Sequence, residues 1–361
     1  MLLDLGRAGL TDPVVSVILT AYNRHEYLRT ALESVIAQNL DRSDFEVIIS
    51  KNFDDPELEG RASAAGCRIV RIDCGSAGTQ VAEAVEVSRG QIIALLDDDD
   101  AWLPHRLAHV VRRFHELPPM QYYANTYLPI DSRGNPEYGR TRRRRAHVSR
   151  LADGTLWHFT ALDGDKTDYE AVFHNYPGNN SSIALSRELI ARFESDLRKI
   201  SISIDHFLLV AGLLGGGDLV IERVPLTLWR VHQANTSGAQ LANFSVFCSD
   251  LASRTERLRN DNYVLLDMAV RRGENRLANY LSSKVELLEE LLRILKHDRS
   301  TLERRVQARK IFGSLLVGSS TNYWTSALLK ARLGSILSTK GVEVALYLYF
   351  QRHIRESYGS D

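Results

Sequence analysis

The chain has 361 residues with 45 Lys+Arg against 45 Asp+Glu, so no overall field draws it toward nucleic acid or an anionic membrane. Its three cysteines, Cys67, Cys74 and Cys248, are scattered without Cys-x-x-Cys spacing, which argues against a disulfide framework or a zinc site and suits a reducing cytoplasm. A chain of this length holds one large core and a smaller second unit; residues 1–10 do not read as a leader, and the longest apolar run, 207–217, is short of the roughly 20 residues that span a bilayer.

Residues 14–20 are mostly β-branched or leucine and apolar on both faces, the pattern of a strand buried inside a parallel sheet. Leu28, Leu32, Val35 and Ile36 then recur at helical spacing among Arg29, Glu33 and Gln38, which predicts an amphipathic helix packed back on that sheet. Strands are expected over 45–49, 67–72 and 91–96, with a helix over 81–88 closed by Gly90. This alternation is an α/β, doubly wound beginning. Further strands are expected over 122–130 and 181–185 and a helix over 189–193. From about Asn243 proline disappears, and Leu281, Val285, Leu288, Leu292 and Leu295 form a helical stripe. The expected division is therefore 1–240, comprising halves 14–100 and 101–240, followed by a helical unit over 241–361.

The strand over 91–96 runs into Asp97, Asp98, Asp99 and Asp100. That places four carboxylates where open α/β sheets bind ligands. Carboxylates so crowded repel one another, and a divalent cation relieves the repulsion; all-oxygen ligation favours Mg or Mn, which in turn neutralise phosphate. The plain alternative is a solvated acidic turn or helix cap. An EF-hand loop fits less well still, because the alternating Asp positions, central Gly and closing Glu are missing.

Residues 96–107, Leu-Asp-Asp-Asp-Asp-Ala-Trp-Leu-Pro-His-Arg-Leu, resemble the Asp-x-Asp segment of family 2 glycosyltransferases of the GT-A fold. Residues 15–24, Val-Ser-Val-Ile-Leu-Thr-Ala-Tyr-Asn-Arg, resemble the family's opening strand and nucleotide-binding turn, and Gly90 stands just before the Asp-x-Asp strand. The resemblance runs over about 14–237. It implies a Rossmann-like, mostly parallel sheet flanked by helices and an inverting, metal-dependent hexosyltransferase-type activity. A nucleotide sugar linked to UDP, GDP or dTDP would be the donor, and a saccharide or lipid-linked hydroxyl the acceptor, in polysaccharide or glycan biosynthesis.

By the same resemblance Thr20, Ala21, Tyr22, Asn23, Arg24, Asn52 and, more weakly, Gly78 would border the nucleotide sugar. Asp97 and Asp98 would lie near ribose and phosphate, and Asp99 would hold Mn or Mg with Asp100 assisting. In Ile204-Asp205-His206, Asp205 resembles the second member of the family's Glu-Asp pair and would be the catalytic base; read from the residues alone it is also a good helix cap. Arg230-Val231-His232 resembles the family's Arg-x-His, with Arg230 toward phosphate and His232 toward the metal.

Two departures stand out. Lys51 occupies the place of the family's carboxylate after the second strand, and Gly75-Ser76-Ala77-Gly78 replaces its Asn-x-Gly turn. They leave the nucleobase open; Lys51, together with Ile204 in place of the Glu of the family's Glu-Asp pair, motivates a rival reading, a noncatalytic sugar-nucleotide or polysaccharide-binding module with a decayed site. A nucleotidyltransferase should carry a Gly-rich basic loop where this chain reads Thr-Ala-Tyr-Asn-Arg. A nucleic-acid binder would rest on Arg142–Arg145 alone, without interleaved aromatics, so nucleic acid is not an expected partner. The C-terminal helices read as a packed subdomain or homodimer interface. Lys330, Arg332, Lys340, Arg352 and Arg355 beside apolar stretches give the other reading, a peripheral membrane contact of a cytoplasmic protein.

Overall fold

The computed structural model describes residues 12–72, 76–117, 119–137, 156–160, 169, 172–173, 176, 178–232 and 244–295. The arginine run at 142–145, the expected boundary at 240/241 and the basic, apolar stretch beyond 328 lie outside these residues. Contacts divide the chain into one unit over Met1–Thr167 and Pro177–His232 and another over Asp168–Tyr176 and Gln233–Asp361.

The first unit opens with β1 (Val15–Ala21), α1 (Leu28–Ile36), β2 (Phe45–Lys51), α2 (Pro56–Ala64), β3 (Arg68–Arg71), α3 (Ala77–Glu86) and β4 (Ile92–Asp97). It continues through β5 (Ala101–Trp102), α4 (Arg106–Glu116), β6 (Met120–Ile130), β7 (Leu156–Thr160), β8 (Ile183–Ser186), α5 (Arg187–Arg192), α6 (Glu194–Leu197), α7 (Ile204–Leu214) and β9 (Asp218–Arg230). One sheet takes all nine strands in the order β3-β2-β1-β4-β8-β6-β9-β5, with β7 also on β9. The run β3-β2-β1-β4 is parallel. Beyond β4 the pairing is mixed: β8 is antiparallel to β4 and β6, while β6 and β9 are parallel.

Burial explains the parallel run. Val15, Val17, Ile18 and Leu19 of β1 are fully buried on both faces, and Leu28, Ala31, Leu32 and Val35 of α1 close one side. Register aligns Thr20 with Asp97 and Ala21 with Lys51, so the carboxyl ends of β2, β1 and β4 open at one edge. Strand order reverses between β1 and β4, the place where open α/β sheets leave a ligand crevice. Gly90 permits the turn into β4, because a Cβ there would come within 2.5 Å of the Ser16 nitrogen; its own N–H donates to Ser16 Oγ at 2.7 Å.

Some bounds differ from the sequence expectation, each for a local reason. The helix expected over 81–88 begins at Ala77, because Ser76 occupies its N-cap with Oγ accepting from Thr79 N at 3.4 Å. The apolar run 207–217 falls mostly in α7, where Phe207, Leu208, Leu209 and Val210 are all fully buried, as in a helix enclosed on every side. Ser203 takes the N-cap position of α7, and Asp205 lies inside its first turn, so the cap reading of Asp205 is replaced by a first-turn position.

The second unit is described mainly by α8 (Phe244–Arg271) and α9 (Asn275–Leu295). The expected stripe is its interior: Leu281, Val285, Leu288 and Leu292 are buried with Leu265 and Met268. Phe173 stacks on Tyr280 at 4.8 Å between centroids, with Lys284 Nζ 4.6 Å from the Phe173 centroid. Among the described residues no helix is long and apolar enough to cross a membrane.

Candidate active site

β4 delivers the four aspartates to the open sheet edge, and the main chain around them is fixed by its neighbours. Asp98 N donates to Thr20 O at 3.0 Å and Asp97 N to Ser181 Oγ at 3.0 Å. Asp100 accepts from Arg230 N at 2.9 Å and from Asn179 Nδ2 at 3.1 Å. Asp97 accepts from Thr20 Oγ1 at 3.2 Å and from Asn180 Nδ2 at 3.4 Å. Arg24 bridges Asp98 and Asp99, and His232 Nε2 lies 3.0 Å from Asp99 Oδ2.

These contacts leave the carboxylates short of compensation. Burial, followed by the charges of Asp99 and Asp98, pushes Asp97 up to about 7. Burial raises Asp98 to about 6 against the opposing hydrogen bond and charge of Arg24. Asp100 is raised well above its ordinary value by burial and then by Asp99 and Asp97. For Arg24, burial favours the neutral form, but the Asp98 hydrogen bond and the charges of Asp99, Asp98 and Asp97 outweigh it and raise the pKa.

Such a site suits a divalent cation. Asp97, Asp99 and Asp100 can each offer an oxygen, all within 4.8 Å of one another. Beside them Asn180, whose Nδ2 faces Asp97, has a buried Oδ1 without a hydrogen-bond partner. Carboxylate and amide oxygens are the donors that Mg and Mn take. The set includes Asp97 and Asp100, which the sequence reading places beside phosphate or in a supporting role.

The other site candidates fall into separate surroundings. Tyr22 is 49% exposed beyond β1. Asn23 has φ 53°, a left-handed conformation that Asn tolerates. Its N–H donates to Asn52 Oδ1 at 2.8 Å, while Asn52 Nδ2 donates to Asn23 Oδ1 at 2.7 Å, so two loops are clasped by a reciprocal amide pair. Ala21 O accepts from Gln80 Nε2 at 3.0 Å. Lys51 is fully buried and turns inward, donating to Phe53 O at 2.6 Å and pairing with Glu59 Oε1. Gly78 abuts the segment after α5: a Cβ there would come within 1.8 Å of Leu197 O, and its N–H donates to Ile200 O at 3.0 Å.

Arg230 is buried, donating Nε to Asp99 O at 2.9 Å and Nη1 to Asp131 O and Ser132 O at 3.2 Å. Its guanidinium lies 4.6 Å from the Tyr27 ring centroid, and Tyr27 meets the His232 ring at 4.9 Å. Asp205 accepts from His206 N at 2.9 Å, and its charge adds to the burial that raises Tyr122.

Sequence reasoning passed over Tyr27, Asn179, Asn180 and Ser181. The last three stand in Pro177-Gly178-Asn179-Asn180-Ser181-Ser182, a polar turn run immediately before a strand. That run was the available signal. Antiparallel pairing of β8 with β4 brings it beside the aspartates.

Residues 16–182 match the model of the family described as Glycosyl transferase family 2. The family read from the sequence is the same one. The chain is 34% identical over 107 residues to "Uncharacterized glycosyltransferase alr2836" of Nostoc sp., covering 28% of this chain and 32% of that protein. It is 30% identical over 124 residues to "Putative colanic acid biosynthesis glycosyl transferase WcaA" of Escherichia coli, covering 32% and 44%. These stretches span less than half the length of either relative. In fold, the chain is similar to S. aureus TarS 1-349, solved in complex with UDP, with a TM-score of 0.52 at 12% identity, covering 94% of this chain and 91% of that one.

Proposed function

We propose that the chain is an inverting, divalent-cation-dependent glycosyltransferase that moves a sugar from a nucleotide donor to an acceptor hydroxyl in glycan biosynthesis, with the catalytic division at 1–240. The observation that carries this reading is the convergence of Asp97, Asp99 and Asp100 oxygens within 4.8 Å at the open edge of the parallel strands. Asp99, with Asp97, Asp100 and His232 around it, would hold the cation, which when bound neutralises the leaving diphosphate.

The nucleoside would lie over Tyr22 and the Asn23–Asn52 clasp. An exposed aromatic at a strand end offers a stacking face, and the amides offer both donors and acceptors. Asp205 would take the proton of the acceptor hydroxyl as its oxygen attacks the anomeric carbon. The bond from that carbon to the diphosphate oxygen breaks on the opposite face, and its electron pair leaves with the nucleoside diphosphate, inverting the configuration. In-line positioning supplies the rest.

The inward turn of Lys51 onto Glu59 favours a second reading, a noncatalytic module, because no carboxylate stands at that place to read the base. Calorimetric titration with UDP, GDP and dTDP, with and without Mn, decides between them. UDP comes first, since TarS was solved with it. Mn-dependent binding of one nucleotide, lost in Asp99→Ala, together with sugar transfer, is the expected result. Binding without any transfer to saccharide or lipid-linked hydroxyls favours the module.

A further inference from the structure

Asp98 and Asp99 already have a cation between them. Arg24 Nε donates to both Asp98 oxygens at 3.1 Å. Its Nη2 bonds Asp98 Oδ1 and lies 2.9 Å from Asp99 Oδ2. Its Nη1 lies 3.4 Å from His232 Nε2, which is itself 3.0 Å from the same Asp99 Oδ2. One carboxylate oxygen therefore serves both Arg24 and His232. A divalent cation seated between Asp99 and His232 competes with the guanidinium for Asp99 Oδ2 and for the Nε2 lone pair, since both face Arg24. A monovalent and a divalent cation a few ångströms apart repel strongly where little water screens them.

Arg24 is placed to move. It stands on the loop between β1 and α1, its side chain is 20% exposed, and its partners Asp98 and Asp99 are at 4% and 10%. A guanidinium displaced toward solvent keeps its charge and its planar fork, which matches two phosphate oxygens at once.

We propose that Arg24 is an internal counter-ion that a divalent cation displaces, and that the displaced guanidinium then binds the diphosphate, so that cation and diphosphate each tighten the binding of the other. The diphosphate half rests on the glycosyltransferase reading, whereas the cation half rests on the Arg24–Asp98–Asp99–His232 geometry alone. Reciprocity follows from linkage: whatever factor the cation adds to diphosphate binding, the diphosphate adds to cation binding.

The test is calorimetric titration of the full chain with Mn chloride alone, then with inorganic pyrophosphate in saturating Mn, so that no choice of nucleobase enters. Arg24→Gln is expected to bind Mn alone about tenfold more tightly than the wild type and pyrophosphate about tenfold more weakly. Arg24→Lys keeps the charge but loses the fork, so it should bind Mn alone about threefold more tightly; it carries the test if the glutamine variant does not fold. Mn affinity unchanged or weakened in both variants, including no binding to any of the three proteins, overturns the proposal. Tighter Mn with unchanged pyrophosphate affinity overturns the coupling. A wild type that binds Mn and pyrophosphate but no nucleoside diphosphate removes the donor reading, and the two Arg24 variants still decide the counter-ion.

Discussion

Glu222 and the run Asp97–Asp100 are both acidic groups enclosed by the same sheet, but their surroundings differ. Glu222 on β9 meets His109 Nε2 at 2.7 Å, Tyr123 Oη at 2.8 Å and Arg113 through both Nε and Nη2. Burial pushes its pKa up, yet the hydrogen bonds from His109, Arg113 and Tyr123 outweigh burial and lower it to about 2. At the aspartates the balance is reversed, and burial plus mutual repulsion hold Asp97 at about 7. One carboxylate with three donor side chains is a strut. Four carboxylates with one bridging guanidinium are poised for a further cation, and the difference lies in the supply of donors, since both places are sheltered from water.

The largest effects should fall on Asp205 and the aspartate run and spare the Glu222 cluster. Asp205→Asn is expected to lower transfer by roughly a thousandfold, typical of losing a general base, while leaving Mn-dependent nucleotide binding intact. Asp99→Ala should remove that binding itself. Glu222→Gln should change turnover less than about threefold at a temperature where it stays folded, as expected of a group outside the chemistry. Steady-state transfer assays with parallel calorimetry check all three. Full turnover in Asp205→Asn would end the base assignment.

Stability should order the clusters the other way. Glu222→Gln leaves Arg113 and His109 with a neutral partner and is expected to cost about 2 kcal/mol in denaturant unfolding, the scale of hydrogen bonds to charged groups. Asp97→Asn keeps an acceptor for Thr20 and removes one repelling charge, so it should stabilise the cation-free protein by about 1 kcal/mol.

The pH dependence follows with opposite signs. A carboxyl depressed to about 2 contributes stability above its unfolded value near 4.3, lost as pH falls toward 2, which is about 3 kcal/mol for Glu222. A carboxyl raised to about 7 costs nothing below about 4, and its penalty grows as pH rises from there through 7. Thermal melts from pH 2 to 8 without divalent cation should therefore rise and then fall. Glu222→Gln should flatten the acid limb, Asp97→Asn the neutral one, and saturating Mn should raise the midpoint at pH 7.5 but not at pH 4. A neutral limb unaffected by Mn would break the comparison.

The parts of this arrangement that follow local pattern were legible in the sequence. β1 and β2 are mostly apolar runs and β4 is apolar up to Asp97, the aspartates stand at its end, and the α9 stripe repeats at helical spacing. What was not legible depends on pairing between distant segments. Asn179, Asn180 and Ser181 meet Asp97 and Asp100 from about 80 positions away because β8 runs antiparallel to β4, and no local periodicity encodes that neighbour. The Glu222 cluster joins α4, β6 and β9 in the same fashion, so four residues unremarkable in the chain become one ion network. Lys51 shows the converse: its identity was plain, but its inward turn onto Glu59 emerges only when β2 and α2 are packed.

The smallest effects probe the neutral groups at the edge of each cluster. Tyr123 Oη donates to Glu222 at 2.8 Å from a buried position, so Tyr123→Phe should cost about 1 kcal/mol, one satisfied buried hydrogen bond. Asn180 Nδ2 lies 3.4 Å from both Asp97 oxygens, a length at which a hydrogen bond is weak, so Asn180→Ala should change cation-free stability by less than about 0.5 kcal/mol. Its unpartnered Oδ1 gives it a different use beside a cation, and Mn affinity should fall about threefold. A stability loss in Asn180→Ala as large as that in Tyr123→Phe would mean that the amide braces the turn before β8; Asn180 would then be a strut like Tyr123, and the line between the two clusters would run through the aspartate loop itself.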